Sequence, residues 1–165
     1  MVNFSSNSYA FVPNPKEPLK LRDFGSAAKP EIPTEVVPWH GTENIKENYI
    51  WPNNPLVTKN NDPTSTQGYA IYSVGKRTSD GFGSSLYNTL VSISASDSGL
   101  TMTRAVPQLN PIGGIQYGGF ATASHSDGNL YLFGSDGTGG LKVARVPWES
   151  ASQTSQVSSF NDMTV

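Results

Sequence analysis

An aromatic strand pattern returns three times along this chain, at Tyr9, Tyr69 and Tyr131, with spacings of 60 and 62 residues. Ser8-Tyr9-Ala10-Phe11-Val12 leads into Leu19-Lys20-Leu21-Arg22, and Leu130-Tyr131-Leu132-Phe133-Gly134 leads into Leu141-Lys142-Val143-Ala144-Arg145 at the same ten-residue offset. The middle copy, Tyr69-Ala70-Ile71-Tyr72-Ser73-Val74, reaches its partner Leu86-Tyr87-Asn88-Thr89-Leu90-Val91-Ser92-Ile93 across a longer loop. Each pair reads as two adjacent strands of one sheet, because short runs of β-branched and aromatic residues alternate between turn signals. A repeat of this length with strand texture restricts the chain to architectures that stack similar small sheets.

Reading onward from each aromatic strand gives a four-stranded meander. In the middle copy strand A falls near Tyr49 to Thr58, B at Tyr69 to Val74, C at Leu86 to Ser94 and D at Leu100 to Arg104. The last copy supplies A near Tyr117 to Ser124, B at Asn129 to Gly134 and C at Leu141 to Val146. The fold expected is all-β, a partial β-propeller with about two and a half four-stranded blades. Residues 1–48 read as the remnant of a first blade with its connection, 49–104 as a complete blade, 105–147 as an incomplete one and 148–165 as a polar tail, all within one domain. A five-bladed ring at this period would need roughly 300 residues. The chain therefore reads as a piece of a propeller, and its unclosed blade edges predict self-assembly or cover by further residues.

Composition supports a packed chain without helices. Of 165 residues 36% are hydrophobic and only 15% charged, so the sequence can bury a core. Sixteen glycines and twelve prolines leave no room for a long helix. A net charge of −2 gives no electrostatic reason to bind nucleic acid or an anionic membrane, and neither is expected as a partner. The absence of cysteine removes disulfides, thiolate metal sites and cysteine nucleophiles. No transmembrane span is present, and Met1-Val2-Asn3-Phe4-Ser5 lacks the basic and apolar regions of a signal peptide.

Several motifs that invite a chemical reading have plainer explanations. Ser124-His125-Ser126-Asp127-Gly128 holds a Ser, a His and an Asp, yet Asp-Gly is a hairpin signal and no Gly-x-Ser-x-Gly elbow accompanies it. The glycine clusters at Gly113-Gly114, Gly118-Gly119 and Gly137 to Gly140 neither follow a strand and open a helix nor carry Gly-Lys-Ser/Thr, so they do not read as phosphate loops. Asp136-Gly137-Thr138-Gly139 has too few oxygen ligands for a calcium loop of the EF-hand type. No metal site and no cofactor is assigned. Ala95-Ser96-Asp97-Ser98-Gly99-Leu100-Thr101-Met102 resembles the Asp-box of sialidase-type propellers, with Ala95 and Met102 in place of its serine and tryptophan; the other reading is a tight turn made by Asp97 and Gly99.

Gly118-Gly119-Phe120-Ala121-Thr122-Ala123, Asn129-Leu130-Tyr131-Leu132-Phe133-Gly134-Ser135-Asp136 and Leu141-Lys142-Val143-Ala144-Arg145-Val146-Pro147 together carry a more specific likeness. They resemble a blade of an uncharacterised secreted microbial five-bladed β-propeller family that is similar to glycoside hydrolases and includes endo-D-arabinanases. Trp51-Pro52-Asn53-Asn54-Pro55-Leu56-Val57 resembles the inner strand of a neighbouring blade. The resemblance covers Tyr49 to Pro147 and implies a carbohydrate-active protein working outside the cell on a polysaccharide or oligosaccharide. Its motifs form strands, so they speak for fold before chemistry.

Meander topology sorts the polar residues by end. The start of A, the B to C connection and the end of D share one end, where His40, Glu43, Glu47, Asn48, the stretch Lys76 to Gly83, Gln116, Tyr117 and Asp136 fall. Glycoside hydrolysis needs two facing carboxyl groups, and Glu47 with Asp80 are the candidate catalytic pair. Trp39, His40, Arg77, Phe82 and Tyr117 are the candidate substrate-binding residues, since flat rings stack on sugars and charged or amide groups hydrogen-bond them. Trp51 lies on or near the same end as Trp39, Phe82 and Tyr117, where rings can stack on sugars, and of these four it is the one most expected to pack in the core. Three functions stay open: a glycoside hydrolase-like enzyme, a non-catalytic carbohydrate-binding module, and a truncated fragment with no activity of its own.

Overall fold

The computed structural model describes residues 10–11, 16–17, 22–23, 25–26, 29–33, 35–96, 99–110, 112–152 and 161–164. Among them there is almost no helix, only single 3-10 turns at Lys59–Asn61 and Trp148–Ser150. The strands are β1 (Ala10–Phe11), β2 (Arg22–Asp23), β3 (Gly25–Ser26), β4 (Lys29–Pro33), β5 (Asn48–Pro52), β6 (Val57–Thr58), β7 (Gln67–Thr78), β8 (Gly81–Ser96), β9 (Gly99–Val106), β10 (Ala121–Ser124), β11 (Asn129–Ser135), β12 (Leu141–Pro147) and β13 (Asn161–Thr164). All pairings are antiparallel, and the sheets are open. The all-β expectation holds.

Two sheets dominate. The central one runs β5-β7-β8-β9, with β6 also pairing with β7, and the second runs β10-β11-β12-β13. Each is a meander, and their facing sides enclose one core of Tyr69, Ile71, Leu90, Val106, Leu109, Leu130, Leu132 and Val146. The opposite side of the central sheet carries a second cluster, Ile50, Ala70, Tyr72, Val74, Val91 and Ile93, against which Val37 and the half-buried Val36 and Trp39 pack. Strand β7 is therefore covered on both faces, which is why Tyr69 to Val74 reads as an unbroken apolar run interrupted only by Ser73. Strand β11 is covered on one face and shows strict alternation, Leu130, Leu132 and Gly134 in, Tyr131 and Phe133 part out.

Four boundaries differ from the expectation, each for a local reason. The stretch Gly75 to Gly83 is not a loop: β7 continues to Thr78, β8 begins at Gly81, and the pair Thr78↔Gly81 is closed by Ser79-Asp80. Gly81 takes a φ of +130°, which a side chain would oppose. The inner strand is split into β5 and β6, because Asn53 to Leu56 with Pro55 leaves the ladder, although the Asn53 amide still donates to Ile71 O at 2.8 Å. Strand β10 starts at Ala121 and not Tyr117, since Gly118 turns with φ +74° and the Gly119 amide donates to Gln116 O at 2.9 Å. Asn161–Thr164, within the stretch read as a polar tail, pairs with β12 through Val143↔Met163 and forms the fourth strand of that sheet.

The hairpin reading of His125 is correct. Gly128 donates to His125 O at 3.0 Å and His125 to Asn129 O at 3.1 Å. Asp97, the centre of the Asp-box likeness, lies outside the described residues, as do Tyr9 and Leu19 of the first repeat. The strand pair that repeat predicts is represented by Phe11↔Arg22.

Candidate functional site

Alternation along β5 sends Ile50 into the core behind the central sheet and Tyr49 and Trp51 to the other face. Tyr49 stands opposite Gly75 and Trp51 opposite Ser73. Across the hairpin, Phe82 on β8 pairs with Arg77 on β7. The three rings meet: Trp51 and Phe82 are 4.4 Å apart at their centroids, Tyr49 and Trp51 5.0 Å, and Tyr49 and Phe82 5.2 Å edge to face. Tyr49 is buried beneath the others, donates from its hydroxyl to Gly83 O at 2.9 Å, and has its pKa raised by that burial. Trp51 and Phe82 remain 38% and 42% exposed. Trp51 is thus a surface residue and not core, a correction: β5 is the outer strand of the central sheet among the described residues, and the Trp51 ring packs on Tyr49 and Phe82 with part of its surface in solvent.

The shelf runs into a groove. A cavity of about 340 Å³ opens between the two sheets, walled by Asn53, Ser73, Ser85, Asn88, Gln116 and the 64% exposed Phe120. Asn88 is almost fully buried at its floor and fixes the wall: its Nδ2 donates to Tyr117 O at 2.9 Å, and its Oδ1 accepts from Asn53 Nδ2 at 3.1 Å. Its backbone N–H donates to Asn110 Oδ1 at 3.0 Å. Ser73 Oγ stands 2.9 Å from Asn53 Oδ1 and 3.0 Å from Asn88 Oδ1. A hydroxyl has one proton, so it serves only one of these two oxygens at a time. Asn88 Oδ1 also accepts from Asn53 Nδ2, so the three side chains form one shared hydrogen-bond cluster on the groove wall.

A second depression of about 390 Å³ lies on the opposite side of the central sheet, lined largely by Pro52, Pro55, Leu56, Ala70, Ile93 and Met102. It is more apolar. A polar ligand gains orientation from convergent donors and acceptors, which the Asn53–Asn88 groove supplies.

The remaining candidates are distributed as follows. Arg77 sits beside Phe82, with Cζ 5.4 Å from the ring centroid, Nε donating to Asn48 O at 2.8 Å and its backbone amide donating to Glu47 O at 2.7 Å. Glu47 is exposed next to Arg77, and Asp80 is exposed at the hairpin tip, accepting from Ser79 Oγ at 2.8 Å. At about 3.3 Å per residue their backbones stand roughly 10 Å apart, on one edge of the aromatic shelf. Tyr117 is buried in the core and its hydroxyl has no partner among the described residues. Trp39 is half-buried against the rear core, and His40 is exposed beside it.

Glu43 belongs to a structural clamp. Its carboxylate accepts from the Tyr87 hydroxyl, from Arg104 Nη1 and, at 3.0 Å, from the His40 amide. The Glu43 and Arg104 side chains are 7% and 3% exposed, and Arg104 also donates to Thr89 Oγ1 at 3.0 Å and Pro107 O at 2.6 Å. Burial first, then the carboxylate it bonds, push the Tyr87 hydroxyl up to about 12, so it acts as a neutral donor. Asp136 likewise holds its own turn, accepting from the Thr138 amide at 2.9 Å and hydroxyl at 2.6 Å; that bonding and Lys142 lower its pKa.

Sequence reasoning named Arg77 and Phe82 as candidates, which the structure brings together on one hairpin, and did not name Asn53, Ser73, Asn88 or Phe120 among them. One signal was present: Asn88 is an amide within the strand run Leu86 to Ile93, whose other polar residues are the hydroxyls Thr89 and Ser92, and a buried amide must be hydrogen-bonded. Among the described residues no group of three or more His, Asp or Glu is placed to hold a metal ion, and no helix is long and apolar enough to cross a membrane. Comparison with known protein families, curated proteins and solved structures returns no match.

Proposed function

We propose that this chain is a carbohydrate-binding module of propeller type, which holds a polysaccharide along the groove between its two meanders. The observation that carries this reading is the adjacency of two partly exposed rings, Trp51 and Phe82, packed 4.4 Å apart and inclined at 51°, to a groove whose wall holds the amides of Asn53, Asn88 and Gln116 and the hydroxyls of Ser73 and Ser85 beside Phe120. Sugars present alternating apolar faces and hydroxyl edges, and an aromatic shelf beside Asn53, Ser73 and Gln116 complements both. Two meanders packed face to face are the relation that neighbouring propeller blades have, which supports the propeller reading. A polysaccharide ligand, together with the secreted family that the strands resemble, goes with an extracellular place of work.

A hydrolase is the second reading, favoured by the exposure of Glu47 and Asp80 on one edge of the same shelf. The groove itself is walled by neutral groups, which is why binding comes first. Affinity electrophoresis against a panel of soluble polysaccharides tests the proposal. Retardation that Trp51→Ala and Phe82→Ala abolish, without release of reducing ends, is the expected result. Reducing ends released by the unaltered protein, and lost in Glu47→Gln or Asp80→Asn, would replace it with the hydrolase.

A further inference from the structure

Arg77 is fixed at its stem and open at its fork. Nε is committed to Asn48 O, the guanidinium lies by the Phe82 ring, and the backbone amide is tied to Glu47 O. Nη1 and Nη2 make no hydrogen bond or ion pair with any described residue. The acidic neighbours do not fill the gap. Glu47 stands across the strand pair without an ion pair to Arg77, and Asp80 beyond it accepts from Ser79. Lys46 and Lys76 are exposed nearby and add positive charge.

A guanidinium stays charged at every working pH and offers a planar pair of donors that matches a carboxylate. Here the pair is pre-positioned beside two rings that pack against each other at 51°. A neutral sugar on Trp51 and Phe82 would leave the two Nη groups of that fork without a bidentate acceptor, whereas a sugar acid uses ring face and carboxylate together. We infer that the ligand is an acidic polysaccharide built of uronic acids, with the sugar ring on Trp51 and Phe82 and its carboxylate on the Arg77 fork. This inference rests on the sugar-binding reading of the shelf and names the class of sugar.

The test is isothermal titration of the whole chain, in about 0.15 M salt so that long-range attraction is largely screened, against polygalacturonate and against the same polymer fully methyl-esterified. The backbone is shared, and the ester removes the charge at the cost of one added methyl group per sugar. The acid form is expected to bind at least about tenfold tighter, the range of one charge-assisted bidentate contact. Arg77→Gln brings that ratio close to one, and Arg77→Lys restores it only in part because the charge returns without the fork. Trp51→Ala weakens both polymers alike. Equal binding of both forms by the unaltered protein, an unchanged ratio in Arg77→Gln, or preference for a sulfated polymer over the uronate overturns the acid inference and leaves sugar binding standing. Binding to neutral polysaccharides alone overturns it in the same way. Binding to no polysaccharide of any kind removes the sugar-binding reading and the inference with it.

Discussion

The ring of Tyr49 lies flat over the backbone of Gly75, its cross-strand partner, so closely that a Cβ at position 75 would fall 2.1 Å from Tyr49 Cζ. This contact lets Tyr49 sink beneath Trp51 and Phe82 and sets the height of the whole aromatic shelf. Gly75→Ala forces the ring outward and is expected to cost about 1 to 3 kcal/mol, the range for an overfilled packed site. Urea denaturation followed by tryptophan fluorescence measures it. A neutral effect would mean that the ring does not rest there.

The Glu43–Arg104 pair ties the segment before β5 to the central sheet. Removing one partner leaves a buried charge without its counterpart, so Glu43→Gln should lose about 3 to 5 kcal/mol. Replacing both, as in Glu43→Leu with Arg104→Met, should recover a large share, because the desolvation of both ions is removed as well. A double-mutant cycle in denaturant separates the coupling from the two single effects.

Stability should fall at both pH extremes for two identifiable reasons. The hydroxyl of Tyr131, 2.6 Å from Asp127 Oδ2, is the main group holding the Asp127 carboxyl down at about 2. A lowered folded pKa gives stability that is present above the unfolded value near 3.8 and is lost as pH falls through about 2. Asp127→Asn removes that acid slope. The Tyr87 hydroxyl, raised from 10.0 to about 12, works in the opposite sense: its contribution is whole below pH 10 and is lost as pH rises through about 12. Tyr87→Phe flattens the alkaline limb of a thermal-melt profile. Slopes unchanged by these substitutions would contradict both assignments.

The groove separates binding from folding. Asn88 is buried and serves Asn53, Ser73 and Tyr117 O, so Asn88→Leu strands several polar groups and should destabilise by about 2 to 3 kcal/mol. Asn53 is exposed, and Asn53→Ala should change stability by no more than about 0.5 kcal/mol while weakening sugar binding several-fold. Equal losses in both variants would make the amide cluster purely structural.

The 60-residue aromatic repeat made the meander legible: Tyr69 and Tyr131 both start runs that became second strands, and the four-strand order of the central sheet followed from it. Glycine misled. Gly75, Gly81 and Gly83 look like loop punctuation, yet Gly75 is a seat for Tyr49 and Gly81 a hairpin turn, and only the cross-strand partner distinguishes these uses. The same error hid the site. With Gly75 to Gly83 read as a loop, the sequence places Phe82 at the same end as Trp51 but does not bring the two rings into contact. Arg77 and Phe82 were legible because they share that hairpin. Asn53 and Asn88 are 35 residues apart, and their hydrogen bond depends on a register that periodicity alone does not set.

The central claim is that Trp51 and Phe82 form a sugar-binding surface, and affinity electrophoresis of the unaltered protein beside Trp51→Ala, Phe82→Ala and the distant Trp148→Ala measures it most directly. Retardation by at least one polysaccharide, reduced about tenfold in affinity by either shelf substitution and unchanged by Trp148→Ala, with near-ultraviolet circular dichroism preserved, is the outcome predicted. Retardation that survives loss of both rings, or migration that no polysaccharide alters, contradicts it.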